Sequence, residues 1–273
     1  MDPIKARHVA AVDFARDATQ FAVESFRARD FKVAVKDDAS PVTKTDRKAE
    51  RMLRDAIAAE FPDDAVLGEE FGETPGTSGY RWVLDPIDGT RPFIHGAALW
   101  GTLVGVLEGD RPVVGVCGTP AGELYELYHG RAEAGGYVGG VFNHRSYART
   151  KFPVEHPRPA TLTDATVLYT QLDLFDTPGQ RRLLDALVGR CRLVRGWGDC
   201  WGHMAVADGR ADVMLDTKMN LWDAAALLPI VEASGCRFRD LSGQARVDGG
   251  SAVSLAPTLE DEFFALVREC GAA

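Results

Sequence analysis

The chain has 273 residues, 45% hydrophobic and 26% charged, with a formal net charge of −9. That length and balance suit a globular protein with a large core, while the acidic surplus, with no basic run interleaved with aromatics, argues against a general nucleic-acid binder. Five widely spaced cysteines and six scattered histidines show no paired metal-ligand spacing, which points away from zinc and toward free thiols in a reducing cytoplasm.

Residues 4–26 place Val9, Val12, Ala15, Phe21 and Ala22 at helical spacing with charges throughout, so the segment reads as a helix and as neither signal peptide nor membrane span. No other apolar stretch reaches spanning length. A polar loop over 36–45 leads to a second helix, where Ala49, Met52, Leu53, Ala56 and Ile57 form an apolar stripe that Phe61-Pro62 ends. Val66-Leu67 is a short strand leading to Gly68-Glu69-Glu70. Residues 81–84 are a buried strand running into a turn, Asp85-Pro86-Ile87-Asp88-Gly89-Thr90. Segments 99–107, 113–117 and 124–128 fit an antiparallel meander. Residues 153–159 are the best boundary between halves 1–153 and 154–273 of a single domain. Beyond it the pattern predicts a strand at 166–169, helices at 180–188 and 199–208, and a strand at 211–215. A strongly apolar helix at 222–233, a strand at 252–255 and a helix at 259–268 close the chain. This mixture argues for an α+β fold of alternating helix and sheet layers, rather than a barrel or a doubly wound sheet.

The acidic residues carry the chemistry. Asp85 and Asp88 lie close enough in the chain to raise each other's pKa unless a proton or cation sits between them. Oxygen-only ligands suit a hard ion such as Mg2+. A polar turn is the plainer reading of Asp-Gly-Thr alone. Thr43-x-x-Asp46 has the spacing of a capping box. Glu69 and Glu70 follow a strand and a glycine. Asp216 ends a strand, and Asp223 heads an apolar helix, where an acid is favoured whatever the function. Two residues, not one, separate Asp85 from Asp88, which departs from the Asp-x-Asp-x-Thr of haloacid-dehalogenase-type phosphatases. A glycosidase carboxylate pair needs neither the Asp-Gly-Thr nor a helix-start Asp.

Taken in order, four strings resemble the inositol monophosphatase family, the lithium-sensitive sugar phosphatases, from about residue 5 to the C-terminus. They are Ser40-Pro41-Val42-Thr43-Lys44-Thr45-Asp46, Gly68-Glu69-Glu70, Asp85-Pro86-Ile87-Asp88-Gly89-Thr90 and Trp222-Asp223-Ala224-Ala225. The resemblance implies a layered α-β-α-β-α sandwich of the inositol monophosphatase/fructose-1,6-bisphosphatase type and a Mg2+-dependent phosphomonoesterase. It implies that Glu69, Asp85 and the Ile87 carbonyl hold one Mg2+, and that Asp85, Asp88 and Asp223 hold a second, with Asp85 bridging. A third, weaker ion near Glu69, replacement by Mn2+ and inhibition by Li+ belong to the same expectation. Thr90, backed by Asp46 and with Glu69 beside it, would activate the attacking water. The Gly89 and Thr90 N–H groups would cradle the phosphate, with Glu70 standing behind the ligands. Family members act on small phosphorylated substrates, without nucleic acid or membrane, and are often homodimers.

Within the family, Arg91 before Pro92-Phe93, the string Leu99-Trp100-Gly101-Thr102-Leu103 and the string Gly198-Asp199-Cys200-Trp201-Gly202 look like the histidinol-phosphate phosphatase branch. L-histidinol phosphate carries an ammonium and an imidazole that can be cationic. Asp199 and Asp216 would therefore suit it, and Arg91 of the branch string and Asp223 are further candidate substrate contacts beside Gly89 and Thr90. A carboxylate at 216 suits a polyol as well, and Asp199 could simply cap its helix. Trp197, Trp201 and His203 could wall an imidazole pocket or belong to the core, and His95 reads as structural. The alternatives are an inositol or broad sugar monophosphatase, and a non-catalytic phosphate- or metal-binding protein of the same fold.

Overall fold

The computed structural model of the chain describes residues 2–29, 32–35, 41–121, 124–143, 148–152 and 157–273. Ser40, the first half of the expected 36–45 loop and the start of the expected 153–159 boundary lie outside the described residues. The first helix, α1 (Pro3–Ala28), begins where the Asp2 side chain accepts from the Ile4 N–H, satisfying an orphan donor of the first turn. Its buried residues include Ala10, Ala11, Ala15, Ala18 and Ala22, small enough to bring the backbone close to a sheet. Strands β1 (Val33–Val35) and β2 (Pro41–Thr43) pair antiparallel.

Helix α2 (Lys44–Glu60) starts earlier than a loop to Thr45 allows. The reason is a complete capping box: the Thr43 side chain accepts from the Asp46 N–H, and the Asp46 carboxylate accepts from the Thr43 N–H. Strands β3 (Ala65–Gly68), β4 (Gly72–Thr74) and β5 (Tyr80–Asp88) follow. The expected 81–84 strand runs on through Asp88. Its register with β6 (Gly101–Glu108) slips between Asp85 and Asp88, so the acids sit on a strand irregularity and not in a turn beyond the strand. Pro86 is tolerated there because a bulge demands no ladder N–H from it. Helix α3 (Thr90–His95) lies between β5 and β6.

The meander continues through β7 (Arg111–Ala121), β8 (Leu124–Glu133), β9 (Gly136–Asn143) and β10 (Ala148–Lys151). Among the described residues the large sheet has the order β10-β9-β8-β7-β6-β5-β3-β4. It is antiparallel except where β3 runs parallel to β5. The second half supplies β11 (Thr166–Tyr169), α4 (Pro178–Arg190), β12 (Leu193–Arg195), α5 (Asp199–Ala207) and β13 (Val213–Asp216). The expected 222–233 helix is interrupted, giving α6 (Leu221–Ala224) and α7 (Leu227–Ala233). Pro229 has no N–H to return to the Ala225 carbonyl, which weakens the ladder at that joint. After β14 (Arg237–Arg239) and β15 (Ala252–Leu255), α8 (Glu260–Cys270) ends the chain. The smaller sheet has the order β12-β11-β13-β15-β14.

Three large apolar clusters set the layering. One joins α1 and α2 to one face of the large sheet through Ala15, Leu53, Trp82, Val104 and Val116. A second lies on its other face, where Leu103, Cys117 and Tyr128 meet Met204, Leu227 and Ile230 of α5 and α7 and Phe238 of β14. The third packs α4 and α8 on the far side of the smaller sheet through Leu183, Val253, Phe263 and Val267. The result is the expected α-β-α-β-α sandwich. No helix of the described residues is long and apolar enough to cross a membrane.

Candidate active site

The acids converge where the β5 bulge, the inner helix layer and the exit of β13 meet. Asp85, Asp88 and Asp223 each offer a carboxylate oxygen, and the three oxygens lie within 4.8 Å of one another. Asp85 Oδ1 accepts from the Ile87 N–H at 3.0 Å, so the bulge orients its own acid. Asp88 Oδ2 accepts from the Cys200 N–H at 2.5 Å, which ties β5 to α5. Asp223 Oδ2 accepts from Asn220 N and Nδ2 at 2.7 and 3.1 Å, closing a capping box on α6. Its helix-start role and its place in the cluster thus coexist.

Burial first, then repulsion from Glu69, Asp88 and Asp223, pushes the Asp85 carboxyl well above the usual range. Asp88 rises for the same leading reason, with Asp199 and Asp223 as repelling neighbours and the Cys200 N–H opposing them. Asp223 is pushed up to about 6, chiefly by burial, against hydrogen bonds from Asn220. Such a cluster gains most from a hard cation between its oxygens. The donor set is all oxygen and contains no thiolate or imidazole. The residues therefore fit a divalent ion of the Mg2+ type.

A cavity of about 140 Å3 opens on the cluster, lined among others by Glu69, Ile87, Gly89, Thr90, Asp199 and Asp216. Glu69 stands outside the tight trio, while its charge bears on Asp46, Asp85 and Asp223. Its turn is built from α2: the Glu50 carboxylate accepts from the Glu70 and Phe71 N–H groups at 2.7 and 3.2 Å and from Arg54 Nε at 2.8 Å. A side chain at Gly68 would overlap that carboxylate. Sequence reasoning missed Glu50. Its signal was a polar residue, with Arg54 one turn on, in a helix whose neighbouring positions face the core.

Thr90 Oγ1 lies 3.1 Å from the Ile87 carbonyl oxygen and 3.3 Å from Asp46 Oδ1. Asp46 is buried; its Oδ2 accepts from Thr43 N at 2.9 Å and Thr43 Oγ1 at 2.5 Å. Burial raises its carboxyl above the ordinary value against those bonds. Gly89, at φ +88°, precedes α3, and a Cβ there would lie 2.8 Å from the Leu99 oxygen and 3.2 Å from Asp199 Cβ.

Asp199 does not cap α5. The N-cap is Gly198, Asp199 sits at φ +54°, and its N–H donates to Thr170 Oγ1 at 2.8 Å. A non-glycine residue in the left-handed region stores strain that the surroundings must hold. Burial, then Asp216 and Asp223, push its carboxyl up to about 8, with Arg91 opposing. Arg91 itself is exposed and does not line the cavity. Asp216 is buried; Oδ2 lies 3.2 Å from His203 Nε2, and Oδ1 has no hydrogen-bond partner among the described residues. His203 is therefore a buried bridge between Asp216 and Ser254, not an imidazole wall. Trp201 lies under the Arg210 guanidinium at 5.0 Å and Trp197 is 43% exposed, and neither lines the cavity. His95 Nδ1 meets the Arg91 carbonyl at 2.8 Å, a local structural contact. Sequence reasoning also missed Thr170, Leu174, Lys218 and Met219, which line the cavity. A wider groove of about 750 Å3, between the Arg111 and Arg246 regions, contains none of these acids.

The inositol monophosphatase family profile matches residues 5–272. A histidinol-phosphatase of Chlorobaculum parvum is 41% identical over 89% of this chain and 90% of its own. A histidinol-phosphatase of Streptomyces coelicolor is 34% identical over 98% of each. Among solved structures, the extragenic suppressor protein SuhB of Bartonella henselae superposes with a TM-score of 0.82 at 23% identity, over 97% of this chain and 99% of that one, a likeness of fold.

Proposed function

Because the chain belongs to the inositol monophosphatase family and is a phosphoric monoester hydrolase, we propose that it hydrolyses L-histidinol phosphate to L-histidinol and phosphate, with Mg2+ as cofactor. The observation that carries the choice of substrate is Asp199, a second cavity acid beside Asp216, whose own carboxylate would suit a polyol as well. Both line the cavity, both stand outside the tight carboxylate trio, and one has an unpartnered buried oxygen. Acids left over from ion binding suit a substrate whose alcohol part is cationic. The two histidinol-phosphatases to which the chain is similar support the same choice.

Glu69, Asp85, Asp88, Asp223 and the Ile87 carbonyl would hold the divalent ions, which when bound supply Lewis-acid stabilisation of the phosphoryl oxygens and a more acidic water. The chain's own groups do the rest. Thr90 Oγ1 can donate its proton to Asp46 Oδ1, which stands outside the cavity lining, and a lone pair remains to take a proton from the attacking water. Asp46, whose carboxyl is raised by burial, accepts the Thr90 proton in turn. The Gly89 and Thr90 N–H groups would hold phosphate oxygens in line. Asp199 and Asp216 orient the departing amino alcohol through its ammonium.

Phosphate release is measured from L-histidinol phosphate and inositol 1-phosphate in the presence of Mg2+. A kcat/KM at least about tenfold higher for histidinol phosphate, or roughly 1.4 kcal/mol of transition-state discrimination, is expected. A preference for inositol phosphate overturns the substrate, and hydrolysis of neither overturns the enzyme.

A further inference from the structure

Among the described residues that line the cavity, one is a cation, Lys218, against six carboxylates. An unneutralised ammonium in that wall would draw in any phosphomonoester, but it would also repel one whose alcohol part is positive. Lys218 is not unneutralised. Its Nζ lies 2.5 Å from Asp176 Oδ2, and that contact holds the Asp176 carboxyl below its ordinary value. Asp176 stands outside the cavity lining.

The backbone on both sides of the pair is fixed. Thr217 Oγ1 donates to the Leu174 carbonyl at 2.7 Å, fastening the exit of β13 to the segment before α4. Thr177, next to Asp176, opens α4 with a capping box. Met219 N donates to the Gly250 carbonyl at 2.9 Å. The two side chains are about half exposed, where an ion pair contributes little to stability. Their use lies in the charge that the cavity presents.

We propose that Asp176 is a positioning residue that cancels the charge of Lys218 at the cavity wall, so that the pocket accepts the phosphomonoester of a cationic amino alcohol over that of a neutral polyol. The inference rests on the substrate reading above and adds the device that sets the selectivity. Asp199 and Asp216 attract the substrate cation, and the Asp176–Lys218 pair cancels the one cationic charge among the described cavity-lining residues that would oppose them.

The test compares the wild type, Asp176→Asn, Lys218→Met and the double variant on L-histidinol phosphate and inositol 1-phosphate, at low and at high salt with Mg2+ present. In Asp176→Asn the histidinol-to-inositol ratio of kcat/KM is expected to fall about three- to tenfold, the scale of one unit charge about 4 Å away screened as in bulk water. The change should lie in KM for histidinol phosphate, leave kcat on inositol phosphate unchanged, and shrink at high salt. Lys218→Met should keep the ratio at or above the wild-type value, and the double variant should restore it, since Asp176 acts only through Lys218. A wild-type ratio in Asp176→Asn, or a loss that persists in the double variant, overturns the inference. A wild type that prefers inositol phosphate overturns the substrate reading instead, and is visible before any variant is made.

Discussion

Asp85 is buried, faces three other acids, and rests on an N–H that its own strand irregularity supplies. Without a cation that arrangement is self-repelling. Asp85→Asn keeps the shape and removes one charge, so the metal-free variant should melt about 2–4 °C higher, the shift expected from ~1 kcal/mol in a chain of similar size. Its phosphatase activity should fall by a factor on the order of 10³, since the proposed central ligand of the ion site is gone. Thermal melting in chelator and a phosphate-release assay check both halves; turnover within tenfold of wild type would remove Asp85 from the ion site. At this scale the sequence was legible where a residue serves two ends. Asp46 closes the capping box its spacing announces, Asp223 heads its helix as expected, and both also reach the site. Asp199 was legible as a candidate but not in its conformation, because a positive φ held by Thr170 depends on a neighbour 29 residues away.

Elements meet the site through contacts that leave fainter marks in the chain. Glu50 on α2 carries the Glu69–Phe71 turn, and its loss leaves the Glu70 and Phe71 N–H groups and Arg54 Nε without their acceptor. Glu50→Ala should cost about 3 kcal/mol and, through displacement of the proposed ligand Glu69, weaken divalent-ion binding by roughly 10–100-fold. Chemical denaturation and metal titration measure the two, and unchanged metal affinity would separate Glu50 from the site. On the other side of the fold, α1 meets β8 through His8 Nε2 and His129 Nδ1, 3.1 Å apart. Burial, then His129 and Arg131, lower the His8 pKa to about 3. The unfolded chain takes up that proton near pH 6.5 while the folded one stays neutral. Stability is therefore full above about pH 6.5 and is lost progressively as the pH falls toward 3. Denaturation midpoints between pH 7 and 5 should drop, and less steeply in His8→Gln. The longer helices and the central meander were readable because periodicity reports a buried face. Strand β9, with Gly136, Gly139 and Gly140, was not, since its strand character comes from β8 and β10 on either side. The break between α6 and α7 was hidden under a continuous apolar run, which periodicity cannot divide.

The whole molecule is held at its middle by a core that both halves build. Leu103, Cys117 and Tyr128 come from the first half, and Met204, Leu227 and Phe238 from the second. Unfolding should accordingly be one cooperative event, with calorimetric and van't Hoff enthalpies equal; two resolved transitions would show independent domains. The site straddles the same joint, for Asp85 and Asp88 belong to the large sheet while Asp223 belongs to the helix layer beneath it. An ion shared by these carboxylates is a rivet as well as a reagent. By mass action a ligand at a hundred times its dissociation constant adds about 2.7 kcal/mol to the folded state. Cation supply then sets not only how fast the enzyme turns over but how much of it stays folded, so that a shortage of the ion would be met first as a loss of protein.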